Sequence, residues 1–215
     1  MNIRQYKYSD RSGVEKVQFE TGFIGKSMAE LISIPHMWNE KIYYYLDKES
    51  KNILVLEDKG EIVGYALGCF QGTRRDVVLP TIKYSILNIF RLIFLPEKDK
   101  IFWKGKIKAY LKIITGISSE RSFKLPKGAA HLHINLLPEA RGGGLGSKLL
   151  KRLFSNAKSK GVDRIYACSY CTSLNPNDNF WFKNGFSEFS KVRTMFWVDQ
   201  YPDENIDLVC YLKDL

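Results

Sequence analysis

Residues 132–161 read LHINLLPEARGGGLGSKLLKRLFSNAKSKG, and the reading of this stretch decides the fold. Leu132, Ile134 and Leu136 alternate with His133 and Asn135, and His131 extends the polar side. That period of two predicts a strand over Ala130 to Leu137 with one apolar face. Pro138 ends the run, and Gly142, Gly143, Gly144 and Gly146 follow within a few residues. From Leu145 the period becomes helical, with Leu149, Leu150, Leu153, Phe154 and Ala157 on one stripe and Gly161 as the stop. Glycines allow a tight turn and leave its N–H groups uncovered by side chains. The helix that begins there adds the positive end of its dipole, about half a charge. Strand, bare turn and helix N-terminus together predict an anion site.

Two nucleotide motifs fail at this turn. A Walker A loop needs Lys-Ser/Thr after its last glycine, and here the order is Gly146-Ser147-Lys148. The dinucleotide fingerprint needs glycines at a G-x-G-x-x-G spacing on the first strand, and the spacing here is different.

Outward from the turn, Asn52 to Glu57 and Glu61 to Phe70 read as a hairpin about Asp58-Lys59-Gly60. Ile3 to Tyr8 suits a short first strand, and Ser9-Asp10 a helix cap ahead of Val14 and Val17. Pro35 to Trp38 reads as a break before a short helix over Glu40 to Leu46. Downstream, Arg164 to Thr172 reads as a long strand, and Asn179 to Asn184 as a short helix opened by Asn175-Pro176-Asn177-Asp178. Lys191 to Val198 and Ile206 to Leu212 read as closing strands.

Residues 71–128 interrupt this order. An apolar stretch between Pro80 and Pro96 is about one helix long, and Ile101 to Thr115 carries Ile107, Tyr110, Leu111 and Ile114 at helical spacing. Lys104, Lys106, Lys108 and Lys112 fall between them and predict a solvated lysine face. Residues 70–128 hold 13 of the 33 Lys/Arg but only 4 of the 23 Asp/Glu, so nearly the whole charge of +10 lies there. The expectation is a single domain, 1–215, with a basic helical insertion at about 71–128.

The arrangement Leu136-Leu137-Pro138-Glu139-Ala140-Arg141-Gly142-Gly143-Gly144-Leu145-Gly146 resembles the acetyl-CoA signature of GNAT-type N-acetyltransferases, Arg/Gln-x-x-Gly-x-Gly/Ala after a strand and before a helix. Phe180-Trp181-Phe182-Lys183-Asn184-Gly185-Phe186 is similar to that family's Phe-Tyr-x-x-x-Gly-Phe segment. The likeness covers residues 1–70 loosely and 130–213 well. It implies an α+β, three-layer fold with a mixed, mostly antiparallel central sheet flanked by helices, and acetyl-CoA as co-substrate. It also implies that the amides of Gly142, Gly143, Gly144, Leu145, Gly146 and Ser147, beside Arg141, hold the CoA diphosphate. The backbone of Leu136 and Leu137 would pair with the pantetheine arm as an added strand does.

Two departures stand out. Trp181 occupies the place of the tyrosine that often protonates the departing thiolate, and an indole N–H is no usable acid. A thiol of pKa about 8.5 leaves tolerably unaided, and solvent or Tyr170 remains as donor. The family's asparagine ahead of this helix has two candidates, Asn175 and Asn177, which equally suit capping and shaping of the Pro176 turn.

Transfer to nitrogen needs a neutral amine, and an alkylamine of pKa about 10.4 is protonated near neutrality. A base is therefore expected. His131 and His133 face the same way, one residue out of register with the His-x-His of arylalkylamine-type members. They are base candidates, or else histidines hydrogen-bonded within a covered sheet.

The expected activity is transfer of acetyl to a primary amine by direct attack. The expected acceptor is a small-molecule amine or amino sugar, and the basic insertion suits either an acidic acceptor or closure over the CoA phosphates. The alternatives are a catalytically weak acyl-CoA sensor and, lower, a nucleic-acid binder, which the absence of a recognised module disfavours. No metal is expected: Cys168 and Cys171 have the CxxC spacing but no second pair and no nearby histidine. The polar start Met1 to Tyr6 lacks an apolar signal core, so a cytoplasmic chain without stable membrane insertion is expected. A homodimer stays open.

Overall fold

The computed structural model describes residues 1–70, 92–116, 119–173 and 175–215. In these residues seven strands form one sheet in the order β1-β2-β3-β4-β5-β7-β6. The strands are β1 (Asn2–Gln5), β2 (Ile53–Asp58), β3 (Glu61–Cys69), β4 (Ala130–Leu136), β5 (Arg164–Cys171), β6 (Ser187–Arg193) and β7 (Asp207–Asp214). Neighbours are antiparallel except β4 and β5. Among the described residues five α-helices accompany them: α1 (Arg11–Thr21), α2 (Pro35–Lys48), α3 (Glu97–Ile114), α4 (Leu145–Lys158) and α5 (Asp178–Lys183). The fold is mixed α+β, with a mostly antiparallel sheet covered by helices on both faces.

The hairpin forms as expected. Lys59 and Gly60 take φ of 50° and 87°, and two left-handed residues give the turn whose twist matches the strands. The α4 stripe of Leu149, Leu150, Leu153, Phe154 and Ala157 is buried, covering β2, β3 and β4 on one face. Its C-terminus closes at Gly161, φ 74°, where the Val162 amide reaches back to the Ala157 carbonyl. The other face is covered by α1 and α2.

Several expectations need correction. Asp10 precedes α1 but does not cap it with its side chain. Its carboxylate accepts two bonds from Arg4, at 2.7 and 2.8 Å, and one from the Lys7 amide, and Arg4 holds its pKa down. Pro35 does not break a helix; it occupies the first turn of α2, where a missing N–H is harmless. The strand expected over Lys191 to Val198 ends at Arg193, because Phe196 and Trp197 turn inward. They join Phe19, Phe23, Met28, Ile32, Trp38, Phe102 and Ile206 in a second core beside the main one.

The helix expected between Pro80 and Pro96 lies largely outside the described residues, of which 92–94 form one 3₁₀ turn. The lysine face expected on α3 is wrong at Lys106. Lys106 is buried with Phe102 and Ala109, whereas Tyr110 and Leu111 are exposed. The register is rotated because α3 docks through polar anchors. Asp99, fully buried, accepts from the Ser33 and Ile34 amides at the entrance to α2. Lys106 Nζ donates to the Phe196 carbonyl and, at 2.9 Å, to Gln200 Oε1.

Gly22 fixes how α1 meets this second core. A Cβ there would lie 2.1 Å from Trp38 Nε1 and 2.8 Å from Met28 Cγ. We expect Gly22→Ala to lose about 1–3 kcal/mol by overpacking, read as a lower urea midpoint at constant m.

Candidate active site

The glycine turn is built as an open cradle. Gly142 and Gly144 take φ of 82° and 74°, and a Cβ on Gly142, Gly143 or Gly144 would meet nothing within 4 Å. Among the described residues, the amides of 142–147 donate to no acceptor; the first committed amide is Lys148, to the Gly144 carbonyl at 3.1 Å. Gly146 has a different task. A Cβ there would stand 3.0 Å from Phe180, so its absence lets α4 approach α5.

Beside the cradle the sheet parts. β4 and β5 pair only at Ala130↔Ile165 and His131↔Tyr166. Beyond His131 the side of β4 toward β5 has no strand partner among the described residues, while its other side stays paired with β3 up to Gly64↔Leu136. The Leu137 amide bonds the Val63 carbonyl at 2.8 Å, and its carbonyl accepts from the Ala140 amide at 2.9 Å. By strand alternation Leu136 faces the gap. Its carbonyl accepts from Arg141 Nε at 2.9 Å, and Arg141 also reaches the Gly25 carbonyl at 3.0 Å. Arg141 thus ties the loop after α1 to the edge of the gap. Asn175 stands at the same place, its Nδ2 3.5 Å from where a Gly25 Cβ would be.

The polar face of β4 looks toward α1 and α2. His133 Nδ1 lies 3.2 Å from Tyr65 Oη, which donates to Gln18 Oε1 and accepts from Asn135 Nδ2 at 3.1 Å. Because the one Tyr65 proton goes to Gln18, His133 must carry its own proton on Nδ1. The Nε2 lone pair is then free among the described residues. His131 Nδ1 bonds Tyr45 Oη. Both rings are half-buried, each keeping some open surface. Burial, and then the Lys41 ammonium, brings the His133 pKa down to about 4; burial, and then His133, brings His131 to about 3. Both are neutral near pH 7, and both of the sequence readings, base candidate and hydrogen-bonded sheet histidine, fit the pair.

The other candidates fall in three places. Tyr170 lies across the gap on β5, stacked on Phe196 at an interplanar angle of 10°, with burial raising its pKa well above that of a free phenol. Asn177 is occupied with β5: its Nδ2 donates to Ser169 Oγ at 2.6 Å and to the Tyr170 carbonyl at 3.1 Å, and its Oδ1 accepts from Cys171. Trp181 belongs to the main core, stacked on Tyr211 and flanked by Phe180 and Phe186. Cys168 and Cys171, three apart on a strand, face opposite ways. Burial pushes the Cys171 thiol up to about 12, against any thiolate chemistry. No group of three or more His, Cys, Asp or Glu suited to a metal occurs among the described residues, and no helix there is long and apolar enough to cross a membrane.

Residues 26–186 match the model of the acetyltransferase (GNAT) family. The chain belongs to that family. No curated protein sequence matches it significantly. Solved structures share the fold at low identity. SsHAT is 22% identical with a TM-score of 0.67, over 99% of this chain and 97% of that one. A ribosomal-protein-alanine N-acetyltransferase from Brucella melitensis is 16% identical with a TM-score of 0.57, over 100% of both chains. The yncA structure from Salmonella typhimurium, which holds its cofactor acetyl-CoA, is 16% identical with a TM-score of 0.57, over 100% of this chain and 94% of that one. GNAT membership supports, in general terms, acetyl transfer to an amine acceptor.

Residues that sequence reasoning missed cluster on α2 and its partners: Lys41, Tyr45, Tyr65 and Gln18. A signal existed for one of them. Trp38, Lys41, Ile42 and Tyr45 share one helical stripe, which sets a lysine among core residues.

Proposed function

We propose that the chain transfers an acetyl group from acetyl-CoA to a primary amine by direct attack, without an acyl-enzyme. The observation that carries this reading is the cradle of uncommitted amides at 142–147, placed where β4 parts from β5. The cradle suits a diphosphate, with bare N–H groups and the α4 dipole aimed at one place and no side chain in the way. Leu136 offers backbone to an extended amide-bearing arm lying in the gap. Acetyl-CoA supplies there an acyl group already activated as a thioester.

The remaining work belongs to this chain's own side chains. The acceptor enters from the recess lined by His133 and gives up one proton as its nitrogen bonds to carbon. His133 Nε2 is the acceptor for that proton, with Nδ1–H pinned by Tyr65. A conjugate acid of pKa about 4 holds a proton only briefly, so His133 acts as a relay to water rather than a store. Tyr170 is a weaker acid than the departing thiol, and the thiolate leaves without it.

His133→Gln, which keeps a donor toward Tyr65, should lower kcat/KM by about 10²-fold or more with CoA affinity unchanged. An unaltered rate would remove His133 from the reaction. A binding module would instead show CoA affinity with no turnover on any amine.

A further inference from the structure

Lys41 has an unusual setting. Its ammonium lies 3.0 Å above the Trp38 ring and 5.7 Å from that of Phe196. One turn along α2, Tyr45 bonds His131, so Lys41 stands beside His133, two residues farther along β4 toward the open part of the gap. It makes no hydrogen bond and no ion pair with any described residue. Among the described residues, the charged or titratable groups acting on it are His133 from β4 and Lys106 from α3, and no carboxylate is among these. Lys106 is already bonded to Phe196 and Gln200, so among the described residues Lys41 is the cation beside His133 left without a counterpart.

A half-buried amine on an aromatic face, with a second cation nearby, holds its charge only where an anion completes it. We propose that Lys41 anchors a carboxylate carried by the acceptor amine, so that the acceptor class is an amino acid or a related amino-carboxylate. This rests on the acetyl-transfer reading given above. A monoanion fits one ammonium; a phosphate dianion calls for more donors than the described residues around Lys41 supply. The same two lysines repel a polyamine. Carboxylate and amine are then held on one recess, the carboxylate at Lys41 and the nitrogen toward His133 Nε2.

Burial lowers the Lys41 pKa well below its ordinary value, so pairing draws in a proton when the free amine is neutral. Carboxylate affinity therefore falls as pH rises through that lowered pKa.

The test compares matched acceptors differing only in the carboxylate: leucine against isopentylamine, and phenylalanine against phenethylamine. The wild type should favour the amino acid of at least one pair by about 30-fold or more in kcat/KM, the ratio expected when one partner of a desolvated charge pair is lost. Lys41→Met and Lys41→Gln should erase the preference through KM. Calorimetry with 4-methylpentanoate and 3-phenylpropionate reads the same contact without turnover. At least one should bind wild type more weakly as pH rises, with proton uptake, and neither variant should retain that binding or its pH dependence. Equal or better use of the plain amines, or a preference that survives in both Lys41 variants, overturns the proposal. Failure of both carboxylates to bind wild type overturns it too. CoA binding, measured separately, tells this failure from failure of the acetyl-transfer reading, since Lys41 lies apart from the cradle.

Discussion

Gly144→Val is expected to weaken CoA binding by about a hundredfold or more while leaving the fold in place. The residue stands at the mouth of the cradle with φ 74°, and nothing lies within 4 Å of its missing Cβ. A side chain can therefore begin there without its Cβ meeting any described atom, and it grows out beside the bare amides. Its cost to stability is chiefly the left-handed backbone, at least about 1–2 kcal/mol and more for a β-branched side chain, or several degrees in Tm for a chain of this size. Gly161 supplies a matched control: it has the same φ of 74° and equally open surroundings, at the far end of α4. Gly161→Val should lose similar stability and no CoA affinity. Calorimetric titration of both variants separates the cradle from backbone strain, and equal CoA affinity in the two would show that residues 142–147 hold no diphosphate.

Acid should destabilise the protein well before its carboxylates titrate. His131 and His133 are held neutral with pKa values of about 3 and about 4, against 6.5 in the unfolded chain. Between pH 6.5 and 4 the unfolded state thus binds more protons than the folded one, so unfolding free energy rises with pH across this window. The contribution of the pair is complete above pH 6.5 and falls as the pH drops toward 4. At 1.36 kcal/mol per pKa unit, discounted for the partial openness of both rings, the loss is roughly 3–6 kcal/mol. Urea melts at pH 4, 5, 6 and 7 measure it. His131→Asn should reduce the slope by about one proton, about 1.4 kcal/mol per pH unit. An unchanged slope would mean that the ring takes up its proton in the folded state as readily as in water.

What the sequence made legible was whatever repeats with a local period or needs a special backbone. The β4 alternation, the α4 stripe, the Lys59-Gly60 turn and the glycine cradle are all of this kind, and the structure has them within a residue or two. Lys106 shows the limit. Its place was assigned by residue type, yet the helix is rotated by Asp99 bonding amides 66 and 65 positions earlier. Likewise, nothing local in Lys191 to Val198 says that Trp197 will leave the strand to meet Phe23, Trp38 and Phe102. The recess was half legible for the same reason. The histidines announced themselves by spacing, whereas Tyr65, Gln18 and Lys41 become neighbours only through the packing of α1 and α2 on the sheet.

The short contact between β4 and β5 has a mechanical side. A sheet of seven strands is held across its middle by two residue pairs, with α4 as the covalent strap around the join. Elsewhere the ladders run long; β5 and β7 match over Arg164↔Asp214 to Cys171↔Asp207. The sheet is therefore two stiff plates meeting at a narrow seam, and an extended molecule seated in the parting would act as a removable slat between them. Ligand binding and the stiffness of the whole sheet are then one property, set by how few hydrogen bonds the seam keeps for itself.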